Sequence, residues 1–223
     1  MAARPRPSPP SNAALEFWQQ IEAAPDPGPP FSCRYPARWP DGRVLHLPIR
    51  DIGVAGLIVN QASFAVVRAL VAGLAAAVRD LSPEVVVGLP TLGHTLAAPL
   101  AEALGHANWV AAGYSRKRWY EERLSAPIRS ITTEEERRVW LDPGMVARLR
   151  GRRVLLVDDV ISTGRSARAG VALLGQAGVR PVGLAVAMIQ TRRWAEAWPS
   201  EIPVRAVLET PALVRREEGW WPA

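Results

Sequence analysis

The apolar positions of this chain change rhythm near residue 60. Before it, "FSCRYPARWPDGRVLHLPIR" (31–50) alternates apolar and polar residues on either side of Pro40-Asp41-Gly42, a turn signal, and predicts a hairpin over about 32–49. Ahead of it, "NAALEFWQQIEAA" (12–24) has helical spacing with Asn12 as its cap, and "PDPGPP" stops it. "LIVN" (57–60) reads as a further short strand. From residue 62 onward, helical and strand patterns alternate. A helix is expected over about 62–81, a strand in "EVVVGLP", a loop entering a helix in "TLGHTLAAPLAEALG", and a strand in "NWVAAGYS". A polar, irregular stretch, "KRWYEERLSAPIRSIT", follows. Then come a strand ("GRRVLLVDD"), a helix ("GRSARAGVALLGQAG"), a strand ("RPVGLAVAMIQ"), a short helix ("TRRWAEAW") and a last strand ("IPVRAVLE"). Continuous apolar strands alternating with helices predict an α/β fold: a mostly parallel, Rossmann-like sheet with helices on both faces. Residues 1–11 read as a disordered Pro/Ser/Arg tail, 12–60 as a small accessory lobe, 61–210 as the core, and 211–223 as a C-terminal tail packing on the lobe or on a partner subunit.

Composition narrows this only a little. Hydrophobic residues make up 48% of the chain and charged residues 22%, which predicts a packed core. The single cysteine, Cys33, excludes a disulfide framework within one chain and fits a cytoplasmic setting. "MAARPRPSPPS" lacks the apolar run of a signal peptide, and the most apolar stretch, 62–78, is interrupted by Arg68 and Gly73, so no membrane span is expected. A net charge of +6 suits a nucleic acid or a phosphorylated small molecule alike.

The chemistry is concentrated in "VLLVDDVISTGRSA" (154–167). A buried strand ends at two adjacent carboxylates, Asp158 and Asp159, placing them where open α/β sheets bind ligands. Two ionised carboxylates repel unless something accepts their charge; sugar hydroxyls can donate to them and Mg²⁺ can sit nearby. In the stretch that follows, Gly164 permits a tight turn, Ser162, Thr163 and Ser166 supply hydroxyls, and a helix offers unpaired amides. A carboxylate pair beside a phosphate cradle describes a sugar phosphate. Each half alone is also ordinary loop onset or helix capping; the ordered combination carries the signal.

These residues closely resemble the signature of the type I phosphoribosyltransferases, which bind 5-phosphoribosyl 1-diphosphate (PRPP). The resemblance implies that Asp158 and Asp159 hold the ribose hydroxyls and that Ser162, Thr163, Gly164, Arg165 and Ser166 wrap the 5-phosphate, Arg165 through its backbone. It also implies a diphosphate loop, placed at Pro90, Thr91, Leu92 and Gly93 in "VVVGLPTLGHTLA", where His94 either touches diphosphate or faces solvent. A mobile catalytic loop is expected at 113–133, with Lys117 first and Arg116 second as the cations that meet the departing diphosphate. The implied reaction is displacement of diphosphate by a nucleobase nitrogen, with Mg²⁺ held largely by substrate and marginally by Asp158 and Asp159. Ser162 stands where hypoxanthine/guanine members carry an Asp. With "SRK" (115–117) and "NQASF" (60–64), it favours adenine or another purine. The accessory lobe would contact the base, with Phe31, Tyr35 and Trp39 as aromatics that read equally as core. The resemblance further implies a cytoplasmic homodimer. Two alternatives stay open: a PRPP- or nucleotide-sensing regulator that binds nucleic acid, and a sugar-phosphate enzyme of another doubly wound family, although no GxxxxGK[ST] motif is present.

Overall fold

A computed structural model describes residues 17–23, 27–128 and 137–223. Its centre is a five-stranded sheet of β4 (Val85–Gly88), β5 (Val110–Ala111), β8 (Val154–Ile161), β9 (Gly183–Gln190) and β10 (Val204–Thr210). The order across the sheet is β10-β9-β8-β4-β5, with every neighbour parallel. Side-chain alternation splits the strands' apolar residues between two cores. Val86, Leu155, Val157, Ala185 and Ala187 face α1 (Phe64–Ala77) and α2 (Gly93–Ala103). Val85, Val87, Val154, Leu156, Leu184 and Val186 face the opposite side. That side is covered by α3 (Val146–Leu149), α4 (Arg165–Gln176) and an antiparallel hairpin of β6 (Ser125–Ile128) with β7 (Arg137–Trp140). The doubly covered parallel sheet agrees with the pattern read from the sequence.

The accessory lobe is built on the expected hairpin, β1 (Arg34–Arg38) with β2 (Val44–Arg50), extended by β3 (Val54–Ala55). Several local expectations change. The helix expected at 12–24 is not formed over 17–23, and its remaining residues lie outside those described. The backbone is held elsewhere: Glu22 pairs with Val44, the Trp18 indole donates to the Gly56 carbonyl at 2.9 Å, and the Ser63 amide donates to Trp18. Leu57–Asn60 is not a strand; a 3₁₀ turn at Val59–Gln61 leads into α1, whose first turn is capped by the Ser63 hydroxyl on the Val66 amide. "TRRWAEAW" forms only a 3₁₀ turn at Ala195–Ala197, because buried Trp194 and Trp198 direct their indole N–H groups to the carbonyls of Thr191 and Ile202. The segment after β10 forms a second hairpin, β11 (Leu213–Arg216) with β12 (Gly219–Pro222). It docks on the lobe: Phe31 and Trp220 exchange backbone hydrogen bonds, and their side chains cluster with Leu213. Among the described residues, no helix is long and apolar enough to cross a membrane.

Candidate active site

The site forms where neighbouring strands end at different heights. β4 stops at Gly88, opposite Val157, while β8 continues against β9 as far as Ile161. Asp158 and Asp159 therefore lie inside β8 rather than at its end, a correction to the sequence reading. The apolar run ends at Val157, but the backbone ladder with β9 does not. Loss of the β4 neighbour opens one flank of β8 beside the acids.

Asp158 is 6% exposed and Asp159 half-buried. An Asp158 carboxylate oxygen accepts the Asp159 amide at 2.9 Å. Burial, then the neighbouring Asp159 charge, pushes Asp158 well above the usual carboxylate range, and burial also raises Asp159. Ionising both members of a buried acid pair is costly until a ligand supplies donors or positive charge.

The loop after β4 crosses directly in front of this pair. The Leu89 amide donates to Val157, and α2 starts at Gly93. A Cβ on Gly93 would lie 2.8 Å from the Val157 carbonyl oxygen, 2.9 Å from Asp158 Cα and 3.1 Å from Asp158 Oδ1. Only glycine lets the Pro90–Gly93 loop abut the acid pair. The Pro90–Thr91 peptide is cis, and the Tyr114 hydroxyl donates to the Pro90 carbonyl at 2.8 Å.

On the other side of the acids, β8 turns into α4 through Ser162–Gly164. Gly164 has φ +72° and serves as the helix N-cap without a side-chain capping bond, which leaves amides of the first turn for a ligand. A hollow of about 140 Å³ is lined by Val160 to Ala167. Ser162, Arg165 and Ser166 are half-buried around it and Thr163 is exposed. The structure thus brings the acids, the 162–166 turn and the 90–93 loop together at one end of the sheet. A larger hollow, about 670 Å³, lies at the ends of β9 and β10 between Thr191–Arg193 and Glu209–Ala212, and does not include the acids.

The remaining sequence candidates are placed differently. His94 neither faces solvent nor points at the loop: its Nε2 bonds the Ala112 carbonyl at 2.8 Å and its ring meets Trp109, tying α2 to the end of β5. Arg116 pairs with Glu122 at 3.2 Å and lies over the Trp140 ring, while Lys117 is exposed at a turn. The segment read as an irregular loop runs through a 3₁₀ turn at Glu122–Leu124 into the β6–β7 hairpin, and its stretch 129–133 lies outside the described residues. Phe31 and Trp39 are buried core residues. Two residues the sequence did not single out stand beside the site: Tyr114, and Arg137, whose guanidinium lies 4.6 Å from the Tyr114 ring centroid. They are 23 positions apart, and no local motif links them.

Comparison with known proteins gives this geometry a family. The family described as "Phosphoribosyl transferase domain" matches residues 57–209. The chain is 38% identical over 136 residues to an adenine phosphoribosyltransferase of Kineococcus radiotolerans, covering 60% of this chain and 67% of the relative. It is 35% identical over 151 residues to that of Frankia casuarinae, covering 67% and 72%. Among solved structures, the adenine phosphoribosyltransferase of Thermoanaerobacter pseudethanolicus superposes with a TM-score of 0.56 at 18% identity, over 66% of this chain and 81% of the other. That of Rhodothermus marinus gives 0.55 at 24% identity, again over 66% and 81%. At those identities the structures speak for the fold alone, and the sequence match carries the family: this chain belongs to the phosphoribosyl transferase domain family.

Proposed function

We propose that this enzyme transfers the 5-phosphoribosyl group of PRPP to a ring nitrogen of adenine, releasing diphosphate. Phosphoribosyl transfer to a nucleobase follows from the family; adenine is supported by relatives named adenine phosphoribosyltransferase. The observation that carries the reading is the side-by-side placement of a buried acid pair and an uncapped, glycine-led helix start on one β8–α4 unit.

Residue roles follow from that placement. Asp158 and Asp159 accept hydrogen bonds from the ribose hydroxyls, which replaces the repulsion between them with charge-assisted bonds. Backbone amides of 162–166, with the hydroxyls of Ser162, Thr163 and Ser166, receive the 5-phosphate. The Pro90–Gly93 loop receives the diphosphate. With both ends of the substrate held, the anomeric carbon is fixed between them, and the chain contributes chiefly by orienting it and excluding water. A C–N bond forms as the C–O bond to diphosphate breaks; the electron pair leaves with diphosphate, and the attacking nitrogen loses its proton to solvent or product. No group of three or more His, Cys, Asp or Glu that could hold a metal occurs among the described residues. The raised acid pair nonetheless suits a partial Mg²⁺ site, with Asp158 and Asp159 giving oxygens and the substrate the rest. Such an ion would neutralise charge on the diphosphate.

We further read the enzyme as a cytoplasmic homodimer with an accessory lobe at 12–60 and a core at 61–210. Exposed Cys33 is compatible with a reducing compartment, and the start of the family match at residue 57 supports the lobe boundary. No specific observation favours the regulator alternative. The test is a panel of adenine, guanine, hypoxanthine, orotate and uracil with PRPP and Mg²⁺, scored for nucleotide and diphosphate. Adenine is expected to be converted at least about tenfold more efficiently than any other base, since a site built to pair polar edges rejects mismatched ones strongly. PRPP binding without turnover of any base would favour the regulator.

A further inference from the structure

Charge develops on the diphosphate as it departs, and a nearby cation stabilises it. The sequence offers Arg116 and Lys117; Arg116 also pairs with Glu122 at the surface and lies over Trp140, and Lys117 is exposed at a turn. A further cation stands over a residue that bonds this loop. Arg137 opens β7 opposite Ile128, and successive residues of a strand point to opposite sides. Arg138 turns toward the Ser125 hydroxyl at 2.8 Å and toward Glu122. Arg137 turns the other way, over the Tyr114 ring.

Tyr114 links this guanidinium to the site. Its hydroxyl donates to the Pro90 carbonyl at 2.8 Å, at the first residue of the diphosphate loop, whose last residue, Gly93, abuts Asp158. Burial first, and then the Asp158 charge, holds its phenol above the usual range, while Arg137 pulls it down, so Tyr114 sits within electrostatic reach of both groups. A guanidinium over an aromatic face keeps the N–H donors around its edge for an anion, and the ring restricts the side chain's freedom before the anion arrives.

We propose that Arg137, held over the Tyr114 ring beside the Pro90–Gly93 loop, contacts the diphosphate of PRPP, and that Tyr114 is the positioning residue that aims it. This rests on the assignment of the Pro90–Gly93 loop to diphosphate. It adds a contact to those expected of Arg116 and Lys117, one that depends on hairpin register.

Titration calorimetry of the full chain with Mg²⁺ tests it, using diphosphate and ribose 5-phosphate as separate probes. Arg137→Ala is expected to weaken diphosphate binding by about tenfold or more, the loss of a charge-assisted contact, while ribose 5-phosphate binding stays within about twofold. Arg137→Lys keeps the charge without the planar fork and falls between. Tyr114→Phe keeps the ring and costs less than Tyr114→Leu. Tyr114→Leu combined with Arg137→Ala binds diphosphate no more weakly than Arg137→Ala alone, the mark of one residue acting through the other. The proposal is overturned if Arg137→Ala binds both probes like the parent, or if it weakens both equally. If the parent protein fails to bind ribose 5-phosphate at all, the underlying site assignment fails first and this inference falls with it.

Discussion

Changing both acids, Asp158→Asn with Asp159→Asn, is expected to lower kcat/KM for PRPP by about 10³-fold, since each replaces a charge-assisted bond to a hydroxyl in a largely buried site. The same change should make the ligand-free protein more stable. Both folded-state values are raised, Asp158 strongly, by burial and then by the adjacent charge. A carboxyl raised on folding binds protons more tightly in the native state. Its stabilising contribution is therefore complete below the unfolded value, about 4, and is lost as pH rises through the folded value. As pH rises the parent must take on an unfavourable charge pair that the variant cannot. The side-chain carbonyl introduced at position 158 can still accept the backbone amide of residue 159, as the Asp158 carboxylate does now. The gain should be on the order of 1 kcal/mol at pH 7, or about 2–4 °C in Tm for a chain of this size. Exposed Asp41, Asp80 and Glu84, held low by hydrogen bonds from Arg43, Arg205 and Arg153, pull stability the opposite way with pH but are common to both proteins. Thermal unfolding of both proteins in chelator should therefore show a Tm difference that widens from pH 5 to pH 8. A difference that is flat with pH, or a variant that is both inactive and less stable, would mean the pair is structural.

Gly93→Ala should fail in the opposite sense, losing stability and activity together. In a helix, alanine normally gains about 1 kcal/mol over glycine. Here the new methyl group would meet the Val157 carbonyl oxygen at 2.8 Å and Asp158 Cα at 2.9 Å. Both are backbone atoms of a central strand, so neither can rotate aside. The start of α2 must move instead, and with it the loop that faces Asp158. Overpacking of this kind costs about 1–3 kcal/mol. A displacement approaching 1 Å between diphosphate loop and acid pair lowers turnover by about 10²-fold. Gly175→Ala is the matched control: it lies in α4 with nothing among the described residues within 4 Å of the added carbon, and should stabilise by about 0.5–1 kcal/mol without changing kinetics. Urea midpoints and PRPP kinetics on the two variants decide the matter. A Gly93→Ala protein that behaves like Gly175→Ala would show that the close approach is not required.

The β8–α4 unit was legible because its parts are consecutive: an apolar run, two acids, a glycine turn and a helix fall within fourteen residues, 154 to 167. The parallel sheet was legible for a related reason, since strands buried on both faces write themselves as unbroken apolar runs. What could not be read depends on register between distant segments. That Gly93 touches Asp158 follows from β4 pairing with β8 so that Gly88 meets Val157. That Arg137 rather than Arg116 stands beside Tyr114 follows from the pairing of β6 with β7. Ser125, Pro127 and the arginines of that hairpin give it no apolar alternation, so it looked irregular. The C-terminal hairpin was hidden likewise, because its burial comes from Phe31 in the accessory lobe. Asp158 and Asp159 looked like a strand end because charge usually marks one, whereas here β9 carries the ladder past them.

The most direct measurement is a crystal structure with ribose 5-phosphate. The expected electron density places phosphate oxygens about 3 Å from backbone amides between Ser162 and Ser166, and the 2- and 3-hydroxyls on Asp158 and Asp159. Phosphate seated instead on the Pro90–Gly93 loop, or sugar bound away from both acids while the 162–166 turn stays open, would contradict the account.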